Sequence, residues 1–225
     1  MNMLIVLTSH DQLGNTGKKT GFYLSELTHA LEMFEKAGMN VTFASPKGGK
    51  APVDGLDRND RANTRYLDDP KWMQRIENTV RLADVDPSTF DAVYVPGGHG
   101  TVFDLPNNAD VQRVIAGIYD RGGVVGAVCH GPAALVNVKL KNGGYLVSGQ
   151  DVSSFTDEEE EAVSLTKVVP FLLESTMRER GARFSKAPKF EAHVAVSDRL
   201  VTGQNPASAR RVGEELVRVL NRTQV

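Results

Sequence analysis

The chain has 225 residues, a net charge of −2, 40% hydrophobic residues and one cysteine. That length suits one full α/β core with a small insertion, and the near-neutral charge gives no reason to expect nucleic acid or an anionic membrane as partner. A lone cysteine excludes an intramolecular disulfide and points to a reducing compartment. The first residues lack the basic flank and apolar length of a signal peptide. No stretch approaches the ~18 apolar residues of a membrane span, so a cytoplasmic location is expected.

Residues 3–8 read as a buried strand, followed by a polar loop to about residue 20. Leu24, Leu27, Leu31 and Phe34 recur near helical spacing and predict a helix over 22–37, closed by Gly38. Residues 41–44 are a second strand. Residues 46–69 are polar and long for a structureless loop, so a lid or a small ordered insertion is expected. Asp69-Pro70 reads as the N-cap and first position of a helix to about residue 82.

Residues 92–95 form a third strand that runs into Pro96-Gly97-Gly98-His99-Gly100. A helix over 111–119 and a strand over 124–128 follow. Residues 146–153 resemble a hairpin arm, 158–180 read as mostly helical with a break near Pro170, and 194–202 as a hairpin about Ser197-Asp198. Asn205-Pro206 opens a last helix to about residue 220. Short apolar strands alternating with helices predict one α/β domain over residues 1–225, with a mostly parallel sheet covered on both faces. Sites on such sheets lie beyond the carboxyl ends of the strands. Thr8-Ser9-His10, residues 96–100 and Cys129-His130 all fall at such ends and read as one site.

The sharpest chemical signal is the cysteine. An apolar run ends at Cys129, then His130-Gly131-Pro132 turns the chain into a helical start. Strand, tight turn and helix is the geometry of a nucleophile elbow. The open N–H groups of that turn predict a lowered thiol pKa. The N–H groups of Gly98 and His130 are candidate oxyanion donors. Glu26, beside core-facing Leu24 and Leu27, reads either as an ordinary solvated helical glutamate or as a carboxyl that projects toward the strand ends beside Cys129. Thr156 to Glu159 matches a capping box, yet the acids at 157–161 exceed what capping needs, so one of them is a candidate to orient His130. Glu191-Ala192-His193 puts two side chains on one face if it is a strand, and a structural role is the better reading. The five histidines (10, 29, 99, 130, 193) show no metal-ligand spacing.

Lys19-Thr20-Gly21 with Glu26, Gly97-Gly98-His99-Gly100-Thr101, Ala127-Val128-Cys129-His130-Gly131-Pro132, Phe155-Thr156-Asp157 followed by Glu160, and Val201-Thr202-Gly203-Gln204-Asn205-Pro206-Ala207-Ser208 together resemble the ThiJ/PfpI superfamily. Within it they are most similar to the stress-induced, chaperone-like members regarded as glutathione-independent glyoxalases (glyoxalase III). The resemblance covers nearly the whole chain. It implies a flavodoxin-like α/β sandwich, commonly as a homodimer, with Cys129 as nucleophile, His130 as its partner, Glu160 as third triad member and Glu26 as the carboxyl group beside the sulfur. Gly98 and the His130 N–H correspond to the oxyanion donors. The implied reaction converts methylglyoxal or a related 2-oxoaldehyde to a 2-hydroxy acid such as lactate, without a cofactor or metal. Glu26 and His130 both remain candidate proton shuttles. A deglycase or cysteine hydrolase, and a holding chaperone or redox sensor, are the alternatives. Class I amidotransferase glutaminases are less similar, because their elbow glycine is replaced by Ala127 and their late His-x-Glu pair is here Glu191-x-His193.

Overall fold

Leu4 and Val6 pack into one apolar cluster while Met3, Ile5 and Leu7 pack into another. A strand buried on both faces must lie inside a layered sheet, and the computed structural model, which describes residues 1–223, shows that arrangement. In chain order the elements are β1 (Asn2–Val6), β2 (Phe22–Tyr23), α1 (Leu24–Lys36), β3 (Asn40–Ser45), β4 (Val53–Asp54), α2 (Arg61–Leu67), α3 (Pro70–Glu77), β5 (Val80–Arg81), β6 (Ala92–Val95), α4 (Thr101–Asp104) and α5 (Ala109–Asp120). The second half contains β7 (Val124–Val128), β8 (Asp151–Val152), α6 (Asp157–Ala162), α7 (Leu173–Glu179), β9 (Arg183–Phe184), β10 (Val194–Ser197), β11 (Leu200–Gly203) and α8 (Ala209–Thr223).

Seven strands form the main sheet in the order β10-β11-β7-β6-β1-β3-β5, with only β10 antiparallel to its neighbour. Helices α1 and α8 cover the face of Met3, Ile5 and Tyr94, and α5 covers the face of Leu4, Val93 and Val125. This is the flavodoxin-like α/β fold. The chain order reverses at β1, where β3 lies on one side and β6 on the other. In an open α/β sheet that reversal leaves a crevice at the carboxyl ends.

Several elements differ from the sequence expectation. Residues 146–149 form turns, and Asp151–Val152 pairs in parallel with Arg183–Phe184 instead of forming a hairpin. The expected long helix over 158–180 is two short ones, α6 and α7. Helix α3 begins as expected, with Asp69 accepting from the Lys71 N–H, but it ends at Glu77 and the chain turns into the edge strand β5. Within residues 46–69, β4 pairs with β2 so that Asp54 stands opposite Tyr23. The buried Thr28–Asn63 hydrogen bond (2.7 Å) and the His29–Asp60 contact (2.6 Å) tie α2 to α1. No helix among the described residues is long and apolar enough to cross a membrane.

Candidate active site

Cys129 directly follows β7 and adopts φ +59°, a left-handed conformation that costs a residue other than glycine roughly 1–2 kcal/mol. Main-chain bonds hold it there: its N–H donates to Gly203 O (2.9 Å), and its carbonyl accepts from the Phe155 N–H (2.9 Å). Pro132 lies in the 3₁₀ turn Gly131–Leu135, which replaces the expected α-helical start. The elbow packs against the loop after β6 so closely that only glycines fit. A Cβ at Gly131 would lie 2.1 Å from Val95 O, and one at Gly97 would lie 2.6 Å from both Glu26 Oε2 and His130 N.

Two side chains meet the sulfur, and a carboxylate and a second imidazole stand behind one of them. Cys129 Sγ is 3.4 Å from His130 Nδ1, and His130 Nε2 is 2.6 Å from Glu160 Oε2. Glu160 Oε1 is 2.7 Å from His99 Nε2, so one carboxylate serves two imidazoles. Burial alone would raise the Glu160 pKa, but hydrogen bonds from His130 and His99 outweigh it and hold the carboxyl at about 2. Burial, with the nearby His99, pushes His130 down to about 4 against the pull of Glu160. At neutral pH the carboxylate is ionised and the His130 ring neutral. Its Nε2–H donates to Glu160, and the lone pair on Nδ1 faces the sulfur.

Glu26 lies across the sulfur, fully buried on α1. Its Oε2 accepts the Gly97 N–H at 2.6 Å, while Oε1 has no hydrogen-bond partner among the described residues. Burial pushes this carboxyl up to about 8, against the opposing effect of Cys129 and the Gly97 N–H, so it carries a proton at neutral pH. With Oε2 occupied, that proton sits on Oε1 beside the thiol. Burial and the Glu26 carboxyl also push the Cys129 thiol well up, although the His130 N–H, which points at the sulfur, opposes the rise. The lowered thiol expected from a helix start is therefore absent. A short 3₁₀ turn does not offset the desolvation of a cysteine that is 4% exposed.

A cavity of about 290 Å³ opens over these groups, lined in part by Tyr23, Asp54, Gly98, Phe155, Val163 and Phe190. The acidic run divides its work. Glu158 and Glu161 face solvent. Glu159 completes the capping box with Thr156 and is buried against Phe190 N, Gln204 Nε2 and Asn205 Nδ2. Glu160 alone reaches the imidazoles.

Other sequence candidates lie outside the cavity. Thr8 donates to Asp104 and His10 stacks on Phe103, so this segment supports the glycine loop from behind and does not face the sulfur. His193 bonds Ser185 Oγ and lies before β10, so it shares no strand face with Glu191. His99 had no assigned role in sequence, because a histidine within a glycine loop carries no periodic signal. His99, His130 and Glu160 come from three separate elements, yet their ligand-type atoms lie within 4.8 Å of one another. As arranged, both Nε2 atoms are engaged with the carboxylate.

Known proteins share this architecture. Glyoxalase 3 of Candida albicans is 32% identical over 235 aligned residues, covering 96% of this chain and 97% of that protein. The crystal structure of glyoxalase III from the same yeast superimposes with a TM-score of 0.90 at 29% identity, covering 97% of each chain. The X-ray structure of Rapid Encystment Protein 24 kDa from Francisella tularensis gives 0.94 at 39% identity, covering 97% of this chain and 98% of that one. The DJ-1/PfpI family model matches residues 18–219, and the chain belongs to that family.

Proposed function

We propose that this protein is a glutathione-independent glyoxalase that converts methylglyoxal or a related 2-oxoaldehyde to the 2-hydroxy acid. The observation that carries this reading is the placement of a buried thiol between a neutral imidazole and a protonated carboxyl. Similarity to proteins named as glyoxalases, over nearly the full chain, supports it.

In this reading Cys129 attacks the aldehyde carbon while His130 Nδ1 takes the thiol proton. Glu26 gives its proton to the nascent alkoxide, with the N–H groups of Gly98 and His130 as oxyanion donors. The hemithioacetal then faces an ionised Glu26, which removes the hydrogen from that carbon. His130 returns its proton to the neighbouring oxygen, giving an enediol. Glu26 delivers its proton to the neighbouring carbon, and the hydroxyl on the first carbon passes its proton back to Glu26 as the thioester carbonyl forms. Water, activated by His130, cleaves the thioester and regenerates the thiol. The buried position of Glu26 suits it to carry a proton between adjacent carbons without exchange to bulk water. Residues 46–69 act as an ordered insertion that brings Asp54 to the cavity wall opposite Tyr23.

Incubation with methylglyoxal alone tests the reaction: lactate should appear as the aldehyde disappears, and protein blocked at Cys129 by iodoacetamide should release none. Cleavage of glycated amines with methylglyoxal left unchanged would assign a deglycase instead. The homodimer implied by the family is tested by light scattering, which should give twice the 24.5 kDa chain mass.

The triad assignment separates neighbours on one helix. Glu160→Gln should lower kcat by about 10²-fold or more, because the amide can present either an acceptor or a donor to His130 and no longer fixes its tautomer. Glu158→Gln and Glu161→Gln, both on exposed side chains, should stay near the wild-type rate. Equal losses at all three positions would point to the field of the helix start and overturn the assignment.

A further inference from the structure

Phe190 is the least expected residue around the cavity. It is 51% exposed and sits at φ +64°, an unfavourable conformation for an aromatic residue that persists only when its surroundings impose it. The constraint is visible: the Phe190 N–H donates to Glu159 Oε1 at 2.8 Å, and the same buried oxygen accepts from Asn205 Nδ2 at 2.9 Å. A buried carboxylate with no part in the sulfur chemistry thus holds an exposed ring at the mouth of the pocket. Phe155 lies between this ring and the catalytic imidazole, with ring centroids 6.5 Å from Phe190 and 4.4 Å from His130. Val163, also exposed, lines the same wall.

The cavity is larger than methylglyoxal needs. At the ~30 Å³ that a water-sized group occupies in a liquid, 290 Å³ holds about ten heavy atoms, and methylglyoxal has five. Phenylglyoxal has ten. The lining contains acids, Glu26 and Asp54, but no lysine or arginine. A carboxylate or phosphate tail would lose its hydration there without gaining a cationic partner.

We infer that Phe190, with Phe155 and Val163, forms a subsite for an uncharged aromatic substituent, and that arylglyoxals are preferred over methylglyoxal. This rests on the glyoxalase reading for its substrates, but not for the subsite itself. An aryl group on the carbon next to the reacting aldehyde extends away from Cys129 along the Phe155–Phe190 wall. It buries apolar surface on both partners and gains offset or edge contacts between rings.

The test compares phenylglyoxal with methylglyoxal in wild type, Phe190→Ala and Phe190→Leu. Wild type should show the higher kcat/KM with phenylglyoxal. Phe190→Ala should lower that value about tenfold, mainly through KM, and several-fold more than it lowers the value for methylglyoxal. Phe190→Leu should recover part of the loss. Equal effects on both aldehydes, or none on either, would overturn the subsite. A measurement without turnover separates this outcome from failure of the glyoxalase reading. The rate of Cys129 alkylation by iodoacetanilide relative to iodoacetamide should exceed the ratio for a free thiol in wild type and fall to it in Phe190→Ala. Iodoacetate should lag behind iodoacetamide by more than it does with a free thiol. If neither aldehyde is turned over while these ratios hold, the subsite stands and the reaction assignment falls. Ratios equal to those of a free thiol would refute the subsite.

Discussion

Replacement of Cys129 by serine is expected to remove turnover while leaving the fold in place. The bonds that hold residue 129 at positive φ are main-chain bonds to Gly203 and Phe155, and serine keeps both of them. The change in unfolding free energy should stay below about 1 kcal/mol, a shift of roughly 2–4 °C for a domain of this size. The chemistry does not tolerate the exchange. A serine hydroxyl is a much weaker nucleophile than a thiol, and the ester it would form lacks the thiolate leaving group that lets water close the cycle. Turnover should fall by roughly 10³-fold or more, as when the nucleophile is lost from other triads. A folded serine variant that kept most of its activity, with thermal unfolding as the control, would refute the thiol mechanism.

Glu26→Gln is expected to separate two properties that usually move together. The amide removes the ionisable group that helps push the thiol up, so the midpoint of Cys129 alkylation against pH should move down toward the ordinary ~8.5 of a free thiol. Turnover should nevertheless fall by about 10²–10⁴-fold, because the amide carries no proton between carbons. Hemithioacetal should accumulate at Cys129, visible as a mass increase, with little lactate released. A variant that turns methylglyoxal over at the wild-type rate would pass the shuttle role to His130.

Stability gives an independent readout of Glu26. Its carboxyl titrates near 4.5 when unfolded and at about 8 when folded, so between these limits the native state keeps a proton that the unfolded chain has lost. The stabilisation is complete below the lower value and is lost as pH rises through the upper one. Denaturant unfolding should show this decline between about pH 6.5 and 8 in wild type, because below that the depressed His130 contributes an opposite slope that offsets it, and the glutamine variant should lack the decline.

The cysteine was legible because its setting is local. An apolar β-branched run, one thiol and a Gly-Pro turn lie within a dozen consecutive residues, and the alternation of strands and helices around them dictates a covered parallel sheet. Glu160 could be singled out only through the family resemblance. Composition treats the five acids at 157–161 alike, and their directions are set by how α6 docks on the glycine loop and on the 187–205 segment. Phe190 left no trace in sequence, since an aromatic residue carries no signal for a left-handed backbone. The two-residue strands β5, β8 and β9 are too short to show a period. The thiol pKa was misjudged for a different reason: a helix start is visible in sequence, whereas the depth of burial that outweighs it is a tertiary property.

Helix α6 is less than two turns long, yet consecutive residues on it serve opposite sides of the cavity. Glu159 anchors the ring at the mouth and Glu160 aligns the imidazoles, and the Thr156 cap fixes the rotational phase of both. The two ends of the substrate cavity are thus mechanically geared: a turn of this helix that loosens one must loosen the other. Insertions or deletions between residues 156 and 160 would uncouple the site more completely than any single side-chain replacement there. Reshaping of the mouth without disturbance of the sulfur is open only to side chains beyond this helix, such as Phe190, or at its solvent-facing end, such as Val163.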